Sequence, residues 1–306
     1  MMNIMVPLSS TDMLEEFCQA GADEFYFGFY DPSWEVIFGP FEEINRMSSF
    51  GDQANFNWKR LEDTVKQIHA HGKKAYVTLN SAAYSISQLN WMDAYVKKLQ
   101  LMSIDGIILG SLELVYRLKD CGVPLTLSTM GGAYNSSIIS FYQDLGISRM
   151  ILPRDMTLSD MKRIVRQFPD IDFEAFLMRN GCKYSDSGCM SYHARKYGSM
   201  CAMLDQGPCV IDIDSAMDAL SVREIYANHT LFTKAFHKEA CGLCAVDELM
   251  EMGIASVKIV GRADFASSVS KDIRRVRTLI DHPGHSRESV ADSCLYQLNC
   301  YYNQNG

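Results

Sequence analysis

The sequence predicts an α/β fold, a (β/α)8 TIM-type barrel, on three observations. A unit of helix, glycine stop, short turn and apolar strand recurs along the chain. Counting these units gives eight strands separated by amphipathic stretches, which implies parallel pairing and, at this length, a closed sheet. The turn after the first strand, Pro7-Leu-Ser-Ser-Thr11, lacks the glycine-rich phosphate loop usual in an open doubly wound sheet.

The units stand in order. Ala20-Gly-Ala-Asp23 precedes Glu24-Phe-Tyr-Phe-Gly28, and His71-Gly72 precedes Lys74-Ala-Tyr-Val-Thr-Leu-Asn80. Asp105 precedes Gly106-Ile-Ile-Leu-Gly110, and Cys121-Gly-Val-Pro124 precedes Leu125-Thr-Leu-Ser-Thr129. Leu145-Gly-Ile147 leads into Arg149-Met-Ile-Leu-Pro153, and Met252-Gly-Ile254 into Ser256-Val-Lys-Ile-Val260. The first strand is placed near Ile4 to Leu8 and the seventh near Ile171 to Leu177. Glycine accepts the left-handed conformation that ends a helix. A continuous apolar run of this length suits a strand covered on both faces. Helices are expected over 11–20, 58–70, 88–102, 111–120, 136–145, 157–167, 243–252 and 264–281.

A chain of 306 residues, 47% of them hydrophobic, buries a core without needing disulfide staples. The barrel is assigned to residues 1–281, with a cysteine-rich insertion over 178–245 after strand seven. The tail, 282–306, is read as partly disordered or packed beneath the barrel, and its Cys294 and Cys300 as incidental. No stretch reads as a signal peptide or a membrane span, so a cytoplasmic setting is expected. Acidic residues outnumber basic ones, 37 to 29, for a net charge of −8. That balance argues against nucleic acid as a partner. The basic run Lys271-Asp-Ile-Arg-Arg-Val-Arg277 reads as a solvated helix face.

Two connections, 29–57 and the insertion, are too long for ordinary turns, and both follow strands. They therefore sit at the barrel mouth, where barrel enzymes keep their chemistry. Polar residues near other strand ends point there too: Asn80, Ser128, Asn135, Arg154, Lys258 and Arg262, with Arg46 in the first long connection. Arg154, Lys258 and Arg262 suit a carboxylate or phosphate substrate, or else salt bridges inside the mouth. Glu174 is a candidate acid–base group or a structural partner of Lys258.

Six of the ten cysteines fall between Cys182 and Cys244. Cys241-x2-Cys244 lets one turn present two sulfurs, and Cys182-x6-Cys189 does so through a loop bent by Gly181 and Gly188. Cys201 and Cys209 are alternates. Four thiolates hold an iron–sulfur cluster or a structural zinc, and the spacing leaves both open, beside a set of unrelated buried thiols. His193, His229 and His237 lie in the same stretch and read as structural or exposed first. No Gly-x-Ser-x-Gly or His-Glu-x-x-His motif is present.

Taken in register, several of these pieces resemble one family. They are Ala20-Gly-Ala-Asp with Tyr26-Phe-Gly28, Gly72-Lys-Lys-Ala-Tyr-Val-Thr-Leu-Asn80, and Leu127-Ser-Thr129 with Asn135. Leu152-Pro-Arg154, Glu174-Ala-Phe176, Cys182-x6-Cys189 and Lys258-Ile-Val-Gly-Arg262 complete the set. Together they resemble peptidase family U32, the collagenase-like peptidases, over about residues 3–280. The resemblance implies a barrel with a [4Fe–4S] cluster on four cysteines, here Cys182, Cys189, Cys241 and Cys244. It also implies oxygen-independent hydroxylation, in ubiquinone biosynthesis or on bases of transfer and ribosomal RNA, with prephenate as the hydroxyl source. Peptidase activity is the founding label. The expectation is a redox enzyme acting on a small anionic or aromatic molecule. The alternatives are a collagenase-like peptidase and a non-catalytic cluster-bearing subunit, paired with a homologous partner or with itself.

The chain departs from the family pattern at three places. Met178-Arg179 stand where members often have His-Gly, Val260 stands where many have Glu, and about 25 residues follow the last predicted helix instead of a further domain. The first two bear on the substrate. The third, with the acidic charge, argues against RNA.

Overall fold

The structure is a computed structural model that describes residues 2–40, 42–46, 57–179, 187, 189, 193–194, 198–199, 240–262, 264–291 and 300–302. Eight parallel strands close into a barrel in the order β1-β10-β7-β6-β5-β4-β3-β2. They are β1 (Asn3–Pro7), β2 (Glu24–Phe27), β3 (Lys74–Leu79), β4 (Gly106–Leu109), β5 (Leu125–Leu127), β6 (Arg149–Ile151), β7 (Asp172–Met178) and β10 (Ser256–Ile259). A small antiparallel pair, β8 (His193–Ala194) and β9 (Gly198–Ser199), lies in the insertion. The predicted barrel is therefore the observed one, strand for strand.

Most of the helices form where a side-chain cap and apolar spacing coincide. The helices are α1 (Leu14–Ala20), α2 (Pro32–Phe38), α3 (Trp58–Ala70), α4 (Ile86–Leu101), α5 (Leu112–Leu118), α6 (Ser136–Asp144), α7 (Leu158–Gln167), α8 (Val246–Met252), α9 (Ala266–Asp281) and α10 (Ser286–Ala291). In α3, Asn57 accepts from the amides of Lys59 and Arg60, while Leu61, Thr64, Val65 and Ile68 fall on one buried face. The stop at Gly21 is real: its φ of 106° is left-handed, and its amide bonds back to Cys18 and Phe17.

Sequence and structure differ in three places. Predicted helices over 11–20 and 243–252 each open with a separate 3-10 turn, Thr11–Met13 and Leu243–Ala245. The connection 29–57 contains α2, which the sequence reading passed over. Asp31 caps it through Ser33, Pro32 pre-sets its first turn, and Trp34 buries against Phe38 and Trp91. The described tail does not lie beneath the barrel. Residues 300–302 pack beside the C-terminal end of β7, where Tyr301 donates its amide to Cys241 O at 2.9 Å.

Two apolar layers result. The larger lies between the strands and the surrounding helices. The smaller fills the barrel itself with Met5, Tyr26, Tyr76, Ile108, Ile151, Phe176 and Val260, and half-buried Tyr301 packs against it from the tail. Val260 is thus part of the apolar wall of the barrel interior.

Candidate functional site

Inside the barrel, charged residues are arranged in two tiers. The lower tier begins at the first residues of β2, β6 and β10. Glu24 and Arg149 form a two-point ion pair, with Nη1 to Oε1 at 2.9 Å and Nη2 to Oε2 at 2.5 Å. Arg149 Nη2 also reaches Glu174 Oε2 at 3.1 Å, and Lys258 Nζ donates to Glu174 Oε1 at 2.7 Å. Asn3, Tyr76 and Ser256 add hydrogen bonds to Glu24. Glu24 and Glu174 are 1% and 0% exposed, so this is a buried network in which two carboxylates meet two cations.

Burial, the largest single influence, would raise the Glu24 carboxyl, but the hydrogen bonds and charge of Arg149, with Ser256 and Lys74, together hold Glu24 below the usual carboxylate range. Burial pulls the Lys258 ammonium below its ordinary value, and Glu174 opposes that pull.

The upper tier lies at the mouth. Arg154 follows β6 and stacks over the Phe176 ring, with Cζ 4.2 Å from the centroid. Arg262 follows β10 and lies 5.3 Å from the Tyr26 ring centroid, while Lys258 Nζ sits over the same ring at 3.9 Å. Arg46 arrives from the connection after β2. Its amide donates to Asn80 Oδ1 at 3.1 Å, and its guanidinium touches Met130 Sδ at 2.5 Å and Cys189 Sγ at 2.8 Å. Burial holds the Arg262 guanidinium below its ordinary value; Tyr26 opposes, and the charges of Arg46 and Arg154 push further down. Arg46 and Arg154 are therefore both close enough to act on Arg262. Among the described residues, no carboxylate forms an ion pair with Arg262.

The structure gathers Arg46, Arg154, Lys258, Glu174 and Arg262 around one axis, as the strand ends predicted. Glu174 and Lys258 stand lower and are bonded to each other. Asn80 orients Arg46. Ser128 accepts from Met130 N at the 3-10 turn Thr129–Gly131, and Asn135 caps α6 by accepting from Ile138 N. These two side chains hold the loops around the mouth. Sequence reasoning missed Arg149, Tyr26, Phe176 and Tyr301. The period-two alternation of β2, which puts Glu24 and Tyr26 on one face, was the available signal for two of the contacts.

The tail completes one side of the mouth. Tyr301 stacks on Phe176 with centroids 6.2 Å apart, and its hydroxyl donates to Arg179 O at 2.5 Å. Tyr302 donates to Phe176 O and lies against Gly242, where a Cβ would meet its ring at 2.7 Å. Arg179 itself holds a left-handed φ of 65°, a conformation that glycine takes without strain. Its ion pairs with Asp264 and Asp272 hold it there instead.

Cys182, Cys201 and Cys209, with His229 and His237, lie outside the described residues. Cys189 stands against Arg46. The backbone of Cys241 pairs as isolated β-bridges with that of Met178 and of Cys300, with no disulfide among Cys241, Cys244 and Cys300, and Cys244 lies in the adjoining 3-10 turn. Cys300, read from the sequence as incidental, lies beside Cys244, whose hydrogen bond pulls its thiol down to about 6, against burial. These soft donors suit iron or zinc by chemistry. Among the described residues, however, no three His, Cys, Asp or Glu side chains gather as a metal site. No described helix is long and apolar enough to cross a membrane.

A family model described as Peptidase family U32 matches residues 9–305. The chain is similar to tRNA hydroxylation protein P of Escherichia coli (strain K12), with 29% identity over 142 residues, 46% of this chain and 30% of that protein. It is similar to tRNA hydroxylation protein P1 of Bacillus subtilis (strain 168), with 24% identity over 231 residues, 74% of this chain and 54% of that protein. The chain thus spans about half the length, or less, of these curated relatives. A solved U32 peptidase structure superposes with a TM-score of 0.46 at 10% identity, covering 59% of this chain and 70% of that one.

Proposed function

Since the chain belongs to Peptidase family U32, we propose that it serves a hydroxylation-type reaction, with a small anionic molecule bound at the barrel mouth. The observation that carries this reading is the placement of Arg154 over Phe176 and Arg262 beside Tyr26 at the mouth, with the charges of Arg46 and Arg154 both acting on Arg262. Cations brought together at the end of a barrel lower the free energy of a bound carboxylate or phosphate. Arg154 over Phe176 and Arg262 beside Tyr26 fix where its oxygens lie. Phe176 and Tyr301 form an apolar wall that excludes water from one side.

A [4Fe–4S] cluster on Cys182, Cys189, Cys241 and Cys244 would supply oxygen-independent redox chemistry, which none of the described side chains supplies. The relatives' names support hydroxylation over peptide cleavage. Purification without oxygen, with iron and sulfide analysis and a visible spectrum, tests the reading. Brown protein with about four irons per chain is expected, lost in Cys241→Ser and kept in Cys294→Ser. One zinc per chain, or colourless protein that cleaves a peptide through Cys182, overturns it.

A second reading takes transfer RNA as the acceptor, on the printed names of the relatives. The net charge of −8 opposes tight backbone binding. Titration with bulk transfer RNA at moderate salt separates the two: weak, salt-sensitive binding fits the first, and sub-micromolar binding the second.

A further inference from the structure

The side chain of Tyr26 is fully buried, and its hydroxyl proton meets no acceptor among the described residues, the Arg262 guanidinium beside it being only a donor. Its surroundings explain why. The Arg262 guanidinium lies beside it, and the Lys258 ammonium sits 3.9 Å above its ring. Guanidinium and ammonium groups carry no lone pair to accept the hydroxyl proton. The carboxylate whose charge reaches Tyr26 is Glu174, and Glu174 is bonded through Oε1 to Lys258 and through Oε2 to Arg149.

A buried donor without an acceptor is costly, and a phenylalanine would fill the same space without that cost. The hydroxyl is therefore placed for an acceptor that arrives from outside the chain. The positive neighbours select its charge. Arg262 and Arg154 both act electrostatically on the Tyr26 hydroxyl, so an acceptor there sits among cations.

We propose that the Tyr26 hydroxyl and the Arg262 guanidinium together bind one oxyanion, a carboxylate or a phosphate, in the barrel interior above the Glu174–Lys258 pair. This rests on the reading of the mouth as an anion site and deepens it. It puts the anion at the level of the third residue of β2, not at the rim, and makes Tyr26 the neutral donor that a cluster of arginines cannot replace. A group bound there lies next to Lys258, which is already held by Glu174 at 2.7 Å.

The test uses the full chain, with inorganic phosphate and sodium benzoate as probes, followed by titration calorimetry and by thermal melting with and without probe. Tyr26→Phe removes one oxygen and should weaken binding of at least one probe about tenfold or more. Its melting temperature without probe should hold or rise, because the unmet donor is gone; a tyrosine with only a structural role would show the reverse. Tyr26→Leu, a second variant lacking the donor, should lose affinity in the same way. Arg262→Ala should abolish binding. If Tyr26→Phe binds both probes like the wild type while Arg262→Ala does not, the Tyr26 assignment is wrong and the anion-site reading stands. If the wild-type chain binds neither probe, both fall. Preference for benzoate indicates a carboxylate ligand, and preference for phosphate a phosphorylated one.

Discussion

At the floor of the barrel, Arg149 is enclosed by Glu24, Glu174 and the Tyr76 hydroxyl. At the mouth, Arg262 faces Tyr26, and the nearby charges of Arg46 and Arg154 have its own sign. Both arginines are carried by one scaffold and stand over aromatic rings. They differ in what compensates them. The floor is a closed set of two carboxylates and two cations, so each charge has a bonded counterpart. The mouth gathers positive charge that the described residues do not balance at Arg262. A balanced set serves the fold, and like charges brought together at the mouth serve binding.

Removing one member from each tier should expose this difference. Arg149→Met leaves Glu24 and Glu174 buried with one fewer cation, and a loss of about 3–5 kcal/mol in unfolding free energy is expected from urea denaturation. A loss below about 1 kcal/mol would mean that the floor is not the closed network described.

Acid should find the floor next. Glu24 is held below its ordinary value, so its contribution is present above the unfolded carboxylate range and is lost as pH falls through the folded value. Melting temperature should stay level from neutral pH to about 5 and then fall. The fall should be smaller in Glu24→Gln, measured relative to that variant's own neutral value. An equal acid slope in both proteins would place the titrating group elsewhere.

The smallest stability effect is expected at the mouth. Arg262→Met removes a cation that burial and two neighbours already disfavour, so unfolding free energy should change by about 1 kcal/mol or less. Phosphate or benzoate binding should disappear in the same variant. A large stability loss would make Arg262 part of the fold and weaken the contrast between the tiers.

Much of the floor was written in the chain without being readable there. Glu24 and Arg149 each begin a strand, but their pairing joins positions 125 residues apart, and nothing local marks it. The bond between Lys258 and Glu174 was one of two readings the sequence left open; it runs diagonally between neighbouring strands, since Lys258 is level with Phe176 and Glu174 with Ser256. Ser128 and Asn135 were read as substrate contacts from their positions after strands. The structure gives them caps, which the same residue types supply equally well.

By itself, the sequence determined the eight strands, the glycine stops and the α3 boundaries at Trp58 and Ala70, because each follows from local backbone preference and the period of burial. It also determined that Arg154 and Arg262 share one end of the barrel, since parallel strands carry their C-terminal ends to the same face. Only the tertiary structure decided which charges are bonded, that Tyr26 keeps a donor without an acceptor, and that Cys300 and Tyr301 return to the end of β7. Those depend on closure of the barrel and docking of the tail. Contacts between residues far apart in the chain are set by packing and desolvation, which leave no periodic trace in sequence.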